Sequence, residues 1–142
     1  MNKIDGVFNL TKKVSPIAKD GKISGKTGNY KKGKEGELRA SEFLTNIGYE
    51  IVEVNYSAFN AEIDLICKDK NVLVFVEVKY KSSKKYGMGF EEVSAAKQKK
   101  IVNCAMLYMR DNNISPHASV RFDIISIDAG KILHIKNAFS DI

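Results

Sequence analysis

The chain contains only two cysteines, Cys67 and Cys104, two histidines, His117 and His134, and two prolines. The cysteines are far apart and each lies in an apolar pattern. They read as reduced core thiols rather than as a disulfide or a metal pair. The histidines stand isolated in the sequence, with no cysteine or histidine cluster around them. No nucleophile elbow, Gly-rich phosphate loop or internal repeat occurs, which removes the commonest hydrolase and nucleotide-binding motifs. No recognition-helix pattern supports sequence-specific reading of bases. The longest strongly hydrophobic run is Val72 to Val76, far short of the roughly 20 residues needed to cross a bilayer. No N-terminal apolar segment resembles a secretory signal, so a cytoplasmic protein with no membrane partner is expected.

What is present fits one folded domain. A chain of 142 residues with 44% hydrophobic and 9% aromatic content can bury a core without staples. Its net charge of +6 is unevenly spread. Residues 1–34 hold nine lysines against Asp5 and Asp20, a net +7, and the remainder holds fourteen Lys and Arg against fifteen Asp and Glu, a net −1. Residues 1–32, rich in Lys, Gly and Ser, read as a flexible basic extension, and 33–142 as the domain. The extension either contacts nucleic-acid phosphates or is a solvated tail.

A helix is expected from Gly33, with Ala40, Phe43, Leu44 and Ile47 on one stripe and Gly48 as its stop. Glu37 continues that stripe towards the N-terminus, either as a site residue or as a first-turn acid favoured by the helix dipole. A strand over Tyr49–Asn55 and a turn at Ser57–Asn60 follow. Two further strands flank a turn at Lys68–Asn71. After the polar loop KSSKKYGMG, a second helix is expected over Glu91–Asn112, with Val93, Lys97, Ile101, Cys104 or Ala105, and Tyr108 inward. Strands through Val120–Ile127 and Ile132–Ile135 close the domain. The order α-β-β-β-α-β-β predicts an α/β fold, a central mixed sheet flanked by helices.

The chemistry concentrates in NAEIDLICKDKNVLVFVEVKYK, Asn60 to Lys81. Side chains on a strand alternate between faces. Glu62 and Asp64 therefore share a face opposite Ile63, Leu65 and Cys67, and Phe75, Glu77 and Lys79 share a face opposite Val74, Val76 and Val78. The plain alternative is a set of cross-strand ion pairs on a wet face. The run VLVFVEVK is apolar on both faces, however, so Glu77 should lie in a covered strand, where an unpaired charge is costly. If the strands form a hairpin, Asp64 and Glu77 sit side by side. They would then repel unless a cation such as Mg²⁺ or Mn²⁺ binds. Lys79, on the face of Glu77, is suited to hold an attacking water or to stabilise a phosphorane. Lys81, Lys84, Lys85, Lys97, Lys99 and Lys100 could form a phosphate-contacting rim, or a merely solvated basic surface.

The segments GKEGELRASEFLTNIGYEIVEVNY, AEIDLI, VFVEVKYK, EEVSAAKQKKI and RFDII together resemble the YraN-type family of bacterial proteins, over about two thirds of the chain. That family resembles archaeal Holliday-junction resolvases and restriction-endonuclease-like nucleases with a D…(E)xK pattern. The resemblance implies a restriction-endonuclease-like core, with Asp64 and Glu77 as metal ligands and Lys79 as catalytic lysine. It further implies Glu37 as an accessory acid, and Lys97 with Gln98 as a basic or polar pair from the second helix. Ala61 stands where the family usually has Gly, Ser57 where it has Arg, and Ile63 in place of the proline of the wider motif. The implied function is metal-dependent DNA cleavage, on branched or structured substrates, for which a symmetric homodimer is expected. A non-catalytic nucleic-acid-binding or complex-forming protein on the same fold is the alternative.

Overall fold

The computed structural model describes residues 27–58, 60–81 and 93–140, with side chains described for all of these except 27–32 and 81. Helix α1 (Thr27–Asn46) is followed by strands β1 (Glu50–Ala58), β2 (Ala61–Asp69) and β3 (Val72–Lys81). Helix α2 (Ala95–Asp111) leads to β4 (Val120–Asp128) and β5 (Lys131–Phe139). The five strands form one sheet in sequence order, β1-β2-β3-β4-β5. Only β3 and β4 run parallel, because α2 carries the chain back between them. The other three neighbouring pairs are antiparallel. The protein is thus α/β, with a mixed sheet and the predicted element order, consistent with a restriction-endonuclease-like core.

Among the described residues, one helix packs on each face of the sheet. Ala40 and Leu44 of α1 pack with Leu65, Cys67, Val74, Val76, Ile125 and Ile127. Ile101, Cys104, Ala105 and Tyr108 of α2 pack with Ile66, Leu73, Phe75 and Phe122 on the other face. Burying each large apolar side chain contributes about 1.5–3 kcal/mol. Both cysteines are buried and free, as their apolar context predicts. No helix among the described residues is long and apolar enough to cross a membrane.

Helix ends explain several boundaries. Gly48 adopts φ +102°, where its N–H bonds Thr45 O at 3.0 Å and the Tyr49 N–H bonds Leu44 O at 2.9 Å. This paired closure satisfies the last carbonyls of α1. It also ends the helix at Asn46, so Ile47, expected on the buried stripe, is 48% exposed. The helix starts at Thr27, six residues before Gly33. TGNYKKGK has no apolar stripe to announce a helix, yet its lysines are good helix formers. Gly36 is buried, and a Cβ there would lie 2.8 Å from Tyr80 Cβ. That close approach sets the N-terminal half of α1 directly on β3. At the start of α2, Ser94 is the N-cap, its hydroxyl accepting the Lys97 N–H at 3.2 Å. The helix therefore begins at Ala95 rather than near Glu91.

The ladders shift register between Ile51 and Glu53 in β1 and between Phe122 and Ile124 in β4, and β1 departs from regular strand geometry at Asn55. Val54 pairs with Leu65 and Tyr56 with Ile63, but no Asn55–Asp64 pair joins them. Asn55 has φ 53°, a left-handed conformation that asparagine tolerates. Across this step Tyr56 and Ile63 pack in the cluster beneath α2, whereas Val54 and Leu65 pack beneath α1. The last strand is also longer than expected, nine residues instead of four, entered through a tight turn at Ala129 and Gly130 with φ 53° and 85°.

Candidate functional site

The site arises where β2 and β3 part. Their antiparallel ladder runs from Asp69–Val72 to Leu65–Val76 and then stops. One further step in register would set Asp64 opposite Glu77. Instead, Asp64 Oδ2 accepts the Val78 N–H at 2.8 Å. A side chain thus replaces the backbone partner that β2 would have offered, and the strands diverge. Beyond that point β3 is held by β4, in a parallel ladder that continues to Lys81–Asp128. Glu77 sits in this covered stretch and is 5% exposed.

Cations from two elements meet the Glu77 carboxylate. Lys97 Nζ on α2 donates to Glu77 Oε2 at 2.8 Å, and Lys79 Nζ lies 3.9 Å from the same oxygen. The Ser94 cap fixes the first turn of α2, which places Lys97 over the strand. A cleft of about 410 Å³ opens beside these groups, with Glu62, Asp64, Glu77, Ser94, Lys97 and Lys100 in its walls.

The electrostatics of the cleft are strained. Burial, then the nearby Glu77 carboxylate, and after it Glu37 and Glu62, push the Asp64 carboxyl well above the usual range, against the lowering effect of the Val78 N–H. Glu37, on α1, also has a raised pKa. Burial is the main cause, opposed by Lys34, and Glu62 adds to the rise. Its Oε1 accepts from Asn55 Nδ2 at 3.1 Å and from Lys34 Nζ at 3.4 Å. Burial lowers the Lys97 ammonium, but the hydrogen bond and charge of Glu77 outweigh that and hold it above its ordinary value.

Asp64, Glu77 and Lys97 meet in the cleft walls and Lys79 lies beside Glu77. The strand spacing points to Asp64, Glu77 and Lys79, whereas Lys97 is implied by the family resemblance. Glu37 approaches from the opposite layer, near enough for its charge to act on Asp64, though it does not line the cleft. Lys100 lines the cleft, and Lys99 is exposed on the outer side of α2. Gln98 does not join them, because its amide donates to Val93 O at 3.1 Å and ties down its own helix start. Lys84 and Lys85 lie outside the described residues, as does the side chain of Lys81. Among the described residues no three His, Cys, Asp or Glu side chains form a ready metal cage.

Sequence reasoning overlooked several residues. Asn55 holds Glu37 from the left-handed step in β1, and the only hint was its place before an aromatic in a strand. His134, isolated in sequence, lies with Nε2 2.8 Å from Asp123 Oδ2. The fully buried Asp123 also receives Arg121 Nε at 2.9 Å and the Asn137 N–H at 3.0 Å. Arg121 reaches on to Asp69 Oδ2 at 3.2 Å and to the Tyr49 hydroxyl. The charge interrupting β4 is thus a satisfied network beneath α1, separate from the cleft.

Comparison with known proteins agrees on one family. The family described as "Uncharacterised protein family UPF0102" matches residues 36–127. A UPF0102 protein of Persephonella marina is 46% identical over 108 residues, covering 76% of this chain and 92% of that protein. One from a Sulfurihydrogenibium species is 38% identical over 109 residues, covering 77% and 94%. A third, from Thermodesulfovibrio yellowstonii, is 42% identical over 107 residues, covering 75% and 94%.

Proposed function

The chain belongs to the uncharacterised protein family UPF0102, and on that footing we propose that it is a divalent-metal-dependent endonuclease hydrolysing phosphodiester bonds in DNA, in particular branched or otherwise structured DNA. The observation that carries the reading is the parting of β2 and β3 at Asp64 and Glu77, with Lys79 and Lys97 beside Glu77.

The donor set fits a hard divalent cation. Two carboxylates in a covered cleft repel each other, and the Asp64 carboxyl is raised first by burial and then by the charge of Glu77. Asp64 and Glu77 would hold Mg²⁺ or Mn²⁺, whose usual coordination by one or two carboxylates leaves the other positions to water and phosphate oxygens. When bound, the ion supplies Lewis acidity and neutralises charge on the phosphate. Lys79, rooted in the same covered strand as Glu77, orients the attacking water or offsets charge developing on phosphorus. Glu37, held by Asn55 and Lys34, adds negative charge on the far side of Asp64. Lys100 supplies phosphate attraction at the cleft wall. A branched substrate presents two scissile phosphates, which a symmetric dimer would address together.

One observation favours the alternative of a non-catalytic nucleic-acid-binding protein. Glu77 is already neutralised by lysine, and the described residues close no three-ligand metal cage. The deciding experiment incubates the purified protein with linear, nicked and four-way DNA, with Mg²⁺, Mn²⁺ or chelator. Metal-dependent cleavage abolished by Asp64→Asn and by Glu77→Gln is expected. DNA binding without cleavage, and with no thermal shift in millimolar Mn²⁺, would establish the binding protein instead.

A further inference from the structure

We propose that Lys97 is an exchangeable counter-ion, which neutralises Glu77 in the metal-free protein and competes with a divalent cation for that carboxylate, holding down metal loading of the site. The inference rests on the proposed reading of Asp64 and Glu77 as metal ligands, and it concerns regulation of that site.

Glu77 is 5% exposed, so its charge needs a partner whenever the protein is folded. Among the described residues two lysines reach it, and they are not equivalent. Lys79 stands 3.9 Å from Oε2, on the same strand as Glu77, with an 18% exposed side chain. Lys97 makes the close contact at 2.8 Å, yet its side chain is 43% exposed. Its backbone is fixed by the Ser94 cap, while its four-carbon stem borders the cleft. Such a side chain can release the carboxylate by rotation alone, without moving the helix.

An ammonium at 2.8 Å and a divalent cation cannot share one carboxylate oxygen without strong repulsion. Metal entry at Oε2 therefore requires Lys97 to leave, and entry at Oε1 is opposed by its charge. The departing ammonium enters a cleft already bordered by Lys100, on the side where a phosphate backbone would be drawn. Lys97 thus serves the metal-free state as partner of Glu77 and the loaded state as a phosphate contact.

The test is calorimetric titration of Mn²⁺, without DNA, into the full chain and into Lys97→Met, Lys97→Gln and Lys99→Met. Methionine keeps the apolar stem and removes the competing charge, whereas glutamine keeps a neutral donor. Lys99→Met loses the same charge from the exposed side of the same helix. Lys97→Met should bind Mn²⁺ roughly three- to tenfold more tightly than the natural chain, as expected for removing one ion pair and its repulsion of the metal. Lys97→Gln should be intermediate, and Lys99→Met within about twofold of the natural chain. Melting in chelator shows that each variant is folded. In Lys97→Met the metal-free midpoint should fall and the Mn²⁺-induced rise should exceed that of the natural chain. Metal binding by the natural chain with equal or weaker binding by Lys97→Met overturns the counter-ion inference alone. Absence of Mn²⁺ binding in all four proteins overturns the metal-dependent reading and this inference with it.

Discussion

Asp64 accepts the backbone N–H of Val78 at 2.8 Å, across the point where the β2–β3 ladder has already ended. One bond accounts for two features of the site. It satisfies a donor that would be orphaned where the strands diverge, and it fixes one Asp64 oxygen while burial and three nearby acids oppose the carboxylate's charge. The cleft is thus a place where structural satisfaction and electrostatic strain fall on the same side chain. Such strain suits a group whose charge a ligand is meant to neutralise.

Replacing Asp64 should separate those two roles. Asparagine can still accept from Val78 and carries no charge, so Asp64→Asn is expected to melt at or above the natural midpoint in chelator. Its Mn²⁺-induced stabilisation should disappear, against about 2.7 kcal/mol for the natural chain at a hundredfold excess over Kd. Asp64→Ala leaves the Val78 N–H unpaired and should be about 1–3 kcal/mol less stable than Asp64→Asn. Paired chelator and Mn²⁺ melting curves check both. Equal stability of the two variants would show that the bond to Val78 contributes little.

Lys79 should behave differently, because in the proposed function it acts on the reacting groups rather than holding the ion. Lys79→Met is expected to retain Mn²⁺ binding to within a few-fold while single-turnover cleavage falls by about 100-fold or more, the scale of losing one charge-stabilising group. Calorimetry and single-turnover cleavage of four-way DNA provide the two readouts. Loss of metal binding with loss of cleavage would make Lys79 a support for Glu77 instead.

Two glycines in α1 offer a test of how the helix is seated. A Cβ at Gly36 would sit 2.8 Å from Tyr80 Cβ, while a Cβ at Gly33 meets nothing within 4 Å. Alanine is favoured over glycine inside a helix by about 1 kcal/mol. Gly33→Ala should therefore stabilise by up to about 1 kcal/mol. Gly36→Ala must push α1 away from β3, an overpacking cost of about 1–3 kcal/mol that offsets or exceeds the same gain. Urea unfolding of the two variants measures the difference. It should also move Glu37, next in sequence, away from Asn55 and reduce activity.

Much of this arrangement was legible before the fold was known. Glu77 inside VLVFVEVK demanded a partner, and period two put Lys79 on its face. The stripe Ile101, Cys104, Ala105 and Tyr108 faces the core as its spacing predicts. What stayed hidden depends on register or on backbone conformation. No periodicity reveals that Asn55 turns left-handed or that Ile63 packs in the other layer from Leu65. The polar first turns of α1 carry no apolar signal. His134 meets Asp123 only because β5 folds back antiparallel on β4, a pairing across strands that spacing cannot supply.

That network also sets how the protein should respond to acid. Burial alone would raise the Asp123 carboxyl, but hydrogen bonds from His134, Arg121 and the Asn137 N–H overcome it and hold the group down to about 2, from an ordinary 3.8. A carboxyl whose pKa is depressed by folding stabilises the native state above its unfolded value. The contribution is lost as pH falls through the folded value, so the window runs from pH 3.8 down to about 2. At about 1.36 kcal/mol per unit, roughly 2 kcal/mol of stability should vanish across it from this group. Asp123→Asn leaves Arg121 with less compensation and should cost about 3 kcal/mol at pH 7, or roughly 10 °C in melting temperature. Because the variant has no carboxyl to protonate, the difference should shrink as the natural chain is acidified towards pH 2. Urea unfolding of both proteins at pH 7, 4, 3 and 2 decides the matter. Parallel curves over the whole range would mean that Asp123 is not the group whose protonation loosens the fold.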